Sequence, residues 1–328
     1  MKTIAFFNNK GGVGKTTLVY HVAWTFADLG FNVLIADFDP QANLSSMFLD
    51  EDRLAELWPD GAHPDTVLGA VTPILRGVGD VAEPHIEEIV DSIGLLVGDL
   101  GLSRFEDKLS QNWPRCLDRQ EDAFRVLSAF YRMLHTAVAT RHADIVLIDV
   151  GPNLGAINRA ALLSAEHVVV PLAPDLFSLQ GLQNLGPTLR DWRQGWKERM
   201  DKAPDDLTLP SGAMIPAGYI VLQHNIRLNR PVLAYAKWMK RIPGEYQRSV
   251  LGHQSIRQTN LDNDPNCLAQ LKHYRSLMPM AMEARKPIFH LKPADGALGA
   301  HSSAAQQCGK DFRKLTKAIA DKCGIKLP

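Results

Sequence analysis

The stretch Lys10-Gly11-Gly12-Val13-Gly14-Lys15-Thr16-Thr17 decides the fold of this 328-residue chain. It follows a short apolar run at residues 3–7 and opens a segment of helical length that stops at Gly30. A glycine-rich turn between a strand and a helix points backbone N–H groups and the positive end of the helix dipole toward a phosphate. Lys15 is placed to reach the β- and γ-phosphates of a nucleotide, and the Thr16 hydroxyl is placed to bind Mg²⁺. The stretch therefore predicts a phosphate-binding loop.

This loop departs from the usual G-x-x-x-x-G-K-[ST] pattern at its first position. Asn9 stands where that pattern has glycine, whereas the Gly14-Lys15-Thr16 core is intact. The alternative is a glycine-rich turn that arose by chance. Such a turn has no need of a preceding strand, a lysine and a threonine, and all three are present here. The residues predicted to contact the nucleotide are Gly11, Gly12, Val13, Gly14, Lys15, Thr16 and Thr17.

Further apolar runs along the chain predict the rest of the sheet. They lie at residues 32–37, 93–97, 144–149, 167–171 and 217–222. Most are continuous rather than alternating, which is typical of strands buried on both faces of a parallel sheet. Because helical stretches separate them, we predict an α/β fold: a doubly wound, mostly parallel sheet with helices on both faces. We expect one domain over residues 1–328, with a helical or irregular excursion at about residues 45–92.

The composition excludes several classes of protein. Hydrophobic residues make up 45% of the chain and charged residues 22%, so most of the chain has enough apolar surface to fold. The four cysteines form no C-x-x-C pair, which argues against a disulfide scaffold or a structural zinc site. No apolar run approaches the ~18 residues that a spanning helix needs. We therefore predict a cytoplasmic protein without a transmembrane segment.

The charge is distributed unevenly, although the formal net charge is zero. Residues 1–225 contain 18 Lys and Arg against 29 Asp and Glu, whereas the basic third at about 226–328 contains 18 against 7. Such a region can contact a polyanion, because phosphate contacts require only charge and reach. A solvated helix face is the alternative. The candidate contact residues are Arg227, Arg230, Lys237, Lys240, Arg241 and Arg248.

Several segments resemble the deviant Walker A ATPases of the ParA/MinD family, which belong to the SIMIBI class of P-loop proteins. The run from Lys10 to Thr17 resembles their Walker A motif, and residues 34–43, Leu-Ile-Ala-Asp-Phe-Asp-Pro-Gln-Ala-Asn, resemble their second signature. Residues 145–155 resemble Walker B and switch II, and residues 168–174 resemble the next strand and its exit. The resemblance is to the ParA branch, covers roughly residues 3–190 and continues weakly to the C-terminus.

The resemblance assigns roles to individual residues. Lys10 matches the signature lysine that reaches the partner's phosphates in a nucleotide-sandwich dimer, and a surface lysine is the alternative. Asp39 matches the switch I aspartate that positions the attacking water, and Asp149 would hold a Mg²⁺-bound water. The implied catalytic residues are thus Lys10, Lys15 and Asp39. The implied metal-binding residues are Thr16, Asp39 and Asp149.

Three positions leave the site incompletely defined. Asp37 either supports Mg²⁺ through water, since residues i and i+2 of an extended segment point the same way, or it caps a turn. Gly151 departs from the D-x-P-P run that is common in the family, which puts the rigidity of switch II in doubt. Asn225 could read adenine through its amide or could cap a loop.

The resemblance implies a function and several partners. We expect a slow partition or positioning ATPase that uses ATP and Mg²⁺, forms a homodimer on ATP binding and binds DNA without sequence preference. A ParB-like or other protein would stimulate hydrolysis, and the ATP-bound form would associate with the nucleoid. The alternatives are a MinD-like ATPase on a membrane or protein surface, and a nucleotide-gated dimerising scaffold with little hydrolysis. The apolar stripe of the last helix, near residues 306–322, is expected to pack on the sheet rather than bind a membrane.

Overall fold

The apolar runs form the strands of one sheet in the computed structural model, which describes residues 1–223, 232–274 and 276–328. The strands are β1 (Lys2–Phe6), β2 (Val33–Asp37), β3 (Glu87–Val90), β4 (Ile93–Leu96), β5 (Ile145–Asp149), β6 (His167–Leu172), β7 (Ile215–Gln223) and β8 (Cys267–Lys272). Their order across the sheet is β3-β4-β2-β5-β1-β6-β7-β8. All neighbours pair in parallel except β3, which lies antiparallel to β4 at one edge.

Helices cover both faces of this sheet. They are α1 (Lys15–Asp28), α2 (Asn43–Phe48), α3 (Glu51–Leu57), α4 (Val67–Arg76), α5 (Phe105–Arg115), α6 (Glu121–Leu127), α7 (Ala129–Arg141), α8 (Ala156–Leu163), α9 (Leu176–Met200), α10 (Val232–Glu245), α11 (Leu277–Ala284) and α12 (Ala300–Cys323). The core on one face of the sheet contains side chains from α1, α2, α3, α11 and α12. The core on the other face receives α4 to α10.

The central strand β1 shows why continuous apolar runs indicated this architecture. Ile4 and Phe6 point into the core beneath α1, whereas Ala5 and Phe7 point into the opposite core. Successive side chains of a strand alternate between the faces, so a strand buried on both sides needs apolar residues at every position. The predicted fold class, an α/β doubly wound sheet with helices on both faces, is confirmed.

The strand predictions are correct to within two residues at each end, but two strands were missed. The excursion at 45–92 is helical in α2, α3 and α4 and then forms β3. β3 reads Glu-Glu-Ile-Val and lies at the sheet edge, so it lacks the continuous apolar run that marks a central strand. β8 at the other edge reads Cys-Leu-Ala-Gln-Leu-Lys and is only partly buried, which conceals it in the same way.

The stripe of the last helix packs on the sheet, as predicted. Phe312, Leu315 and Ile319 of α12 are buried in the core that also holds α1. Among the described residues, none of the helices is long and apolar enough to cross a membrane. Asn225, Arg227 and Arg230 lie outside the described residues.

Candidate functional site

The phosphate-binding loop joins β1 to α1 at the carboxyl edge of the sheet. Gly12 and Gly14 adopt φ values of 70° and 78°, a left-handed conformation that favours glycine. A β-carbon at Gly14 would also lie 3.0 Å from the Leu222 side chain. Gly14 is the N-cap of α1, so the free N–H groups of the first helical turn face the end of the loop. The backbone therefore has the form that a phosphate site requires.

Lys15 is buried beside two carboxylates. Burial lowers the pKa of Lys15, whereas the charges of Asp149 and Asp39 raise it. Asp149 ends β5 and Asp39 follows the end of β2, and these two strands are neighbours in the sheet. Because parallel strands end at the same edge, residues that are far apart in sequence meet around one ammonium group.

Asp149 is fully buried, and its charge is poorly compensated. Burial and the neighbouring Asp37 raise the pKa of Asp149 to about 8, against the opposing effects of the Thr16 hydroxyl and Lys15. Within the described part of the chain, neither carboxylate oxygen accepts a hydrogen bond of normal geometry. A bare carboxylate beside a threonine hydroxyl at a phosphate loop is the oxygen-rich setting that Mg²⁺ and its water ligands prefer. The residues present therefore fit a magnesium ion.

The Asp37 carboxylate accepts hydrogen bonds from the first turn of α2. The donors are the Ser45 backbone N–H at 2.9 Å and the Ser45 hydroxyl at 2.8 Å. The Ser45 hydroxyl oxygen in turn accepts a hydrogen bond from the Gly98 N–H at 2.8 Å. Burial raises the pKa of Asp37 to about 7, and the Ser45 hydrogen bonds oppose the shift. Of the two interpretations of Asp37, these contacts favour the one in which it holds a turn.

Asp39 lies where the loop after β2 approaches the loop after β5. Its Oδ1 accepts a hydrogen bond from the Gln41 N–H at 3.0 Å. A β-carbon at Gly151 would lie 3.1 Å from the same oxygen. The glycine that departs from the family's D-x-P-P run therefore lets the loop after β5 approach Asp39 closely.

Lys10 is held by a residue that the sequence reasoning missed. Its ammonium donates a hydrogen bond to Asp175, which also accepts one from the Ser178 N–H at 2.8 Å and so caps α9. The ammonium also lies 5.9 Å from the centre of the exposed Phe177 ring. The only signal in the sequence is an aspartate at the start of a helix, which predicts the cap but not the contact with Lys10. Lys10 and Asp175 thus tie the phosphate loop to α9.

A small apolar cavity of about 140 Å³ adjoins the loop on the side of β8. Its wall includes Gly12, Thr17, Leu222, Leu271, Tyr274 and Met278. The sequence analysis did not find this wall because it did not identify β8. His21 forms part of the cavity wall. Its ring accepts a hydrogen bond from the Ile288 N–H at 3.2 Å, and its other nitrogen lies 2.8 Å from the Thr17 carbonyl oxygen. Burial lowers the pKa of His21 to about 4, so this imidazole is neutral.

The cations proposed for polyanion contact are exposed where the structure describes them. Lys237, Lys240 and Arg241 project from α10, and two of them lie about 5 Å from the centre of the Trp238 ring. Arg248 is exposed in the π-helical turn that follows, 3.4 Å from Glu245. Their assignment to nucleic-acid binding stays a prediction.

Comparison with known proteins shows the family to which this chain belongs. A sequence model described as an AAA domain matches residues 1–202. The chain belongs to the ParA branch of the ParA/MinD P-loop ATPases. Its curated relatives include the Escherichia coli protein IncC, 30% identical over 59% of this chain and 47% of IncC. Another is the Caulobacter vibrioides chromosome partitioning protein ParA, 27% identical over 61% of this chain and 67% of that protein. The chain therefore spans about half the length of IncC.

Solved structures support the same fold. A protein from Corynebacterium diphtheriae is 28% identical, with a TM-score of 0.68 over 87% of this chain and 97% of that one. Apo McdA from Cyanothece gives a TM-score of 0.62 over 98% of this chain and 99% of McdA. The identity to McdA is only 15%, so that likeness concerns the fold alone.

Proposed function

We propose that this ParA-like chain is a slow, Mg²⁺-dependent ATPase that partitions or positions a cargo by switching between a DNA-bound dimer and a free form. The observation that carries the proposal is Lys15, buried between Asp149 and Asp39 at the end of a glycine-rich loop. A lysine that lies beside two carboxyl groups at a helix N-terminus can neutralise phosphate oxygens and also contact groups on both switch loops. The partition relatives supply the wider setting.

The described side chains can divide the chemistry of hydrolysis among them. Lys15 would hold the β- and γ-phosphate oxygens, and Thr16 and Asp149 would hold Mg²⁺, which supplies positive charge to the phosphates. Binding the cation would favour the ionised form of Asp149, since a nearby positive charge lowers a carboxyl pKa. Asp39 would orient the attacking water beside switch II.

The cavity next to the loop would receive the base of the nucleotide. Leu222, Tyr274 and Met278 offer apolar and aromatic surface of the kind on which a purine stacks. This placement puts the base between the ends of β7 and β8, with the phosphates on Gly12 to Thr17. The earlier candidate Asn225, which lies outside the described residues, stays a prediction.

Exposed apolar residues around the site support dimerisation. Leu100 follows β4, Leu154 follows β5, and Leu176 and Phe177 follow β6, so they lie at the edge of the sheet that carries the phosphate loop. Phe177 is 67% exposed and Leu100 is 60% exposed. Exposed large apolar side chains along one edge of a sheet are candidates for a surface that a partner covers. A second copy placed against them would cover them and bring its Lys10 to the phosphates.

DNA is the surface proposed for the ATP-bound dimer. Lys237, Lys240 and Arg241 of α10 are exposed and would contact the sugar–phosphate backbone without reading sequence. The MinD-like alternative of a membrane-bound helix is less well supported, because the apolar side chains of α12 are already buried. A ParB-like protein or another partner would accelerate hydrolysis and release the DNA.

DNA binding by the purified protein with ATP, with ADP and without nucleotide, each at two salt concentrations, tests the proposal. We expect binding with ATP alone, and a steep fall at the higher salt because phosphate contacts release counterions. Phosphate release measured in the same samples should be slow. Binding that is equal in all three nucleotide states, or absent in all of them, would contradict the ATP-gated switch.

A further inference from the structure

A second set of exposed cations lies on the opposite side of the sheet from α10. Lys310, Arg313, Lys314 and Lys317 are exposed on α12, and we name them the α12 basic face. They fall at i, i+3, i+4 and i+7, which places them on one side of the helix. The buried residues of α12, such as Phe312 and Leu315, occupy its other side.

The charge of this face is not neutralised by residues 1–223, 232–274 or 276–328. In the parts of the chain that the structure describes, none of the four cations forms an ion pair. The adjacent Asp311 accepts hydrogen bonds from Tyr274 at 3.0 Å and Gln307 at 2.8 Å. Lys310 and Arg313 also line an open groove of about 430 Å³ between α12 and α1. A polyanion can therefore approach this face without displacing an internal partner.

The two basic surfaces lie on opposite sides of the sheet and face away from each other. The exposed cations of α10, Lys237, Lys240 and Arg241, form the α10 basic face, and the buried part of α10 belongs to the core opposite that of α12. Two helix layers, each roughly 10 Å thick, and the sheet lie between the two faces. The apolar side of α12 is buried, so this helix has no apolar side chains to insert into a bilayer, and a rigid polyanion suits it better.

We propose that the α12 basic face is a second surface for the DNA backbone, so that one molecule joins two duplexes. The inference rests on the proposed function, because it requires that the protein binds DNA. It goes further in assigning a separate contact to α12 and a bridging activity to the molecule. Four phosphate contacts would contribute a salt slope of roughly −3.6.

A bridging assay tests this inference. One duplex is fixed to beads, a fluorescent duplex of unrelated sequence is free, and the retained fluorescence is measured with protein and Mg²⁺-ATP. The test variant carries Lys310→Glu, Arg313→Glu, Lys314→Glu and Lys317→Glu. The matched control carries Arg76→Glu, Arg104→Glu, Arg119→Glu and Lys197→Glu, which change the net charge equally at other exposed sites. Affinity for a single duplex is measured separately.

We expect the α12 variant to lose at least about tenfold in retained duplex, while its single-duplex affinity stays within about threefold of the control. Bridging equal to that of the control would overturn the inference, as would equal loss of bridging and single-duplex binding. Vesicles containing anionic phospholipid that bind wild type but not the variant, with bridging unchanged, would assign the face to lipid instead. If no variant or wild type binds DNA in any nucleotide state, the proposed DNA binding itself fails. Replacement of the same four residues by glutamine repeats the comparison if the glutamate variant does not fold.

Discussion

The nucleotide site and the basic third use charge in opposite ways. In the site, Lys15, Asp149 and Asp37 are buried, and each one has a pKa displaced by burial and by its neighbours. In the basic third, the cations of α10 and α12 are exposed on opposite faces of the sheet. The free energy of a buried charge depends on its immediate neighbours, whereas exposed charges attract a polyanion through their summed field. Single substitutions should therefore disable the site, but only groups of substitutions should affect the surfaces.

Lys15→Ala should give the largest effect and tests whether one buried charge controls the site. Loss of the proposed charged contacts with two phosphates should lower ATP affinity by about 100-fold or more. Titration calorimetry with ATP measures the change. The exposed Lys197→Ala is the control and should bind ATP as wild type does. Unchanged affinity in the Lys15 variant would mean that the loop is not the phosphate site.

Asp39→Ala should separate hydrolysis from binding. If Asp39 orients the attacking water as proposed, its removal should slow turnover by about 100-fold or more, while ATP affinity changes little. The expected product is a persistent ATP-bound dimer, seen by size-exclusion chromatography with ATP, alongside slow phosphate release. Asp107→Ala, at an exposed position, should behave as wild type. Normal turnover in the Asp39 variant would remove this residue from catalysis.

Reversal of the α10 basic face should have a smaller, additive effect. Lys237→Glu, Lys240→Glu and Arg241→Glu together should weaken DNA binding by about tenfold and reduce the salt slope by about 2.7. ATP hydrolysis without DNA should not change. Reversal of Arg76, Arg104 and Lys197 provides the control for net charge. Equal DNA binding by the two triple variants would place the DNA surface elsewhere.

Asp175→Asn tests the contact that joins the site to its exposed rim. Asparagine also caps helices well, so α9 should be retained while the charge that holds Lys10 is lost. A freed Lys10 should strengthen the ATP-dependent dimer by about three- to tenfold, measured by analytical ultracentrifugation. The same change in a Lys10→Ala background should have no further effect. An equal effect in both backgrounds would show that Asp175 acts through something other than Lys10.

Asp149→Asn should have the smallest effect, on the stability of the ligand-free protein. The pKa of Asp149 is raised to about 8, so the folded state disfavours its charged form. Its contribution is fully present below the ordinary aspartate pKa near 4 and is lost as the pH rises toward 8. The variant should therefore gain several degrees in Tm over wild type at pH 8.5 and much less at pH 5. A gain that does not depend on pH would contradict this account, and Asp107→Asn is the control.

The sequence predicts the loop and the central strands because both follow local rules. Glycines, Lys15 and Thr16 stand together in the chain, and a strand buried on both faces must be apolar throughout. The edge strands β3 and β8 were not predicted, because an exposed edge tolerates polar residues such as Glu87, Glu88 and Gln270. Their detection requires knowledge of which strand lies beside them.

Contacts between distant residues account for the rest of what the sequence did not show. Lys10 and Asp175 are 165 positions apart, and each has a separate local explanation as a loop lysine and a helix cap. Asp37 and Asp39 follow the i, i+2 rule, yet Ser45 binds only the first of them. The α12 basic face was not predicted from the sequence. The charge count covered the whole basic third and did not show which cations lie on which side of the sheet.

The place of β1 in the sheet has a consequence for synthesis of the chain. β1 is made first, yet it pairs with β5 and β6, which end at Asp149 and Leu172. At translation rates of 5–20 residues per second, roughly 7–30 s separate the emergence of the phosphate loop from that of its neighbours. During this interval β1 is an unpaired apolar segment, and a nascent chain that stalls before β6 should depend on chaperones to stay unaggregated.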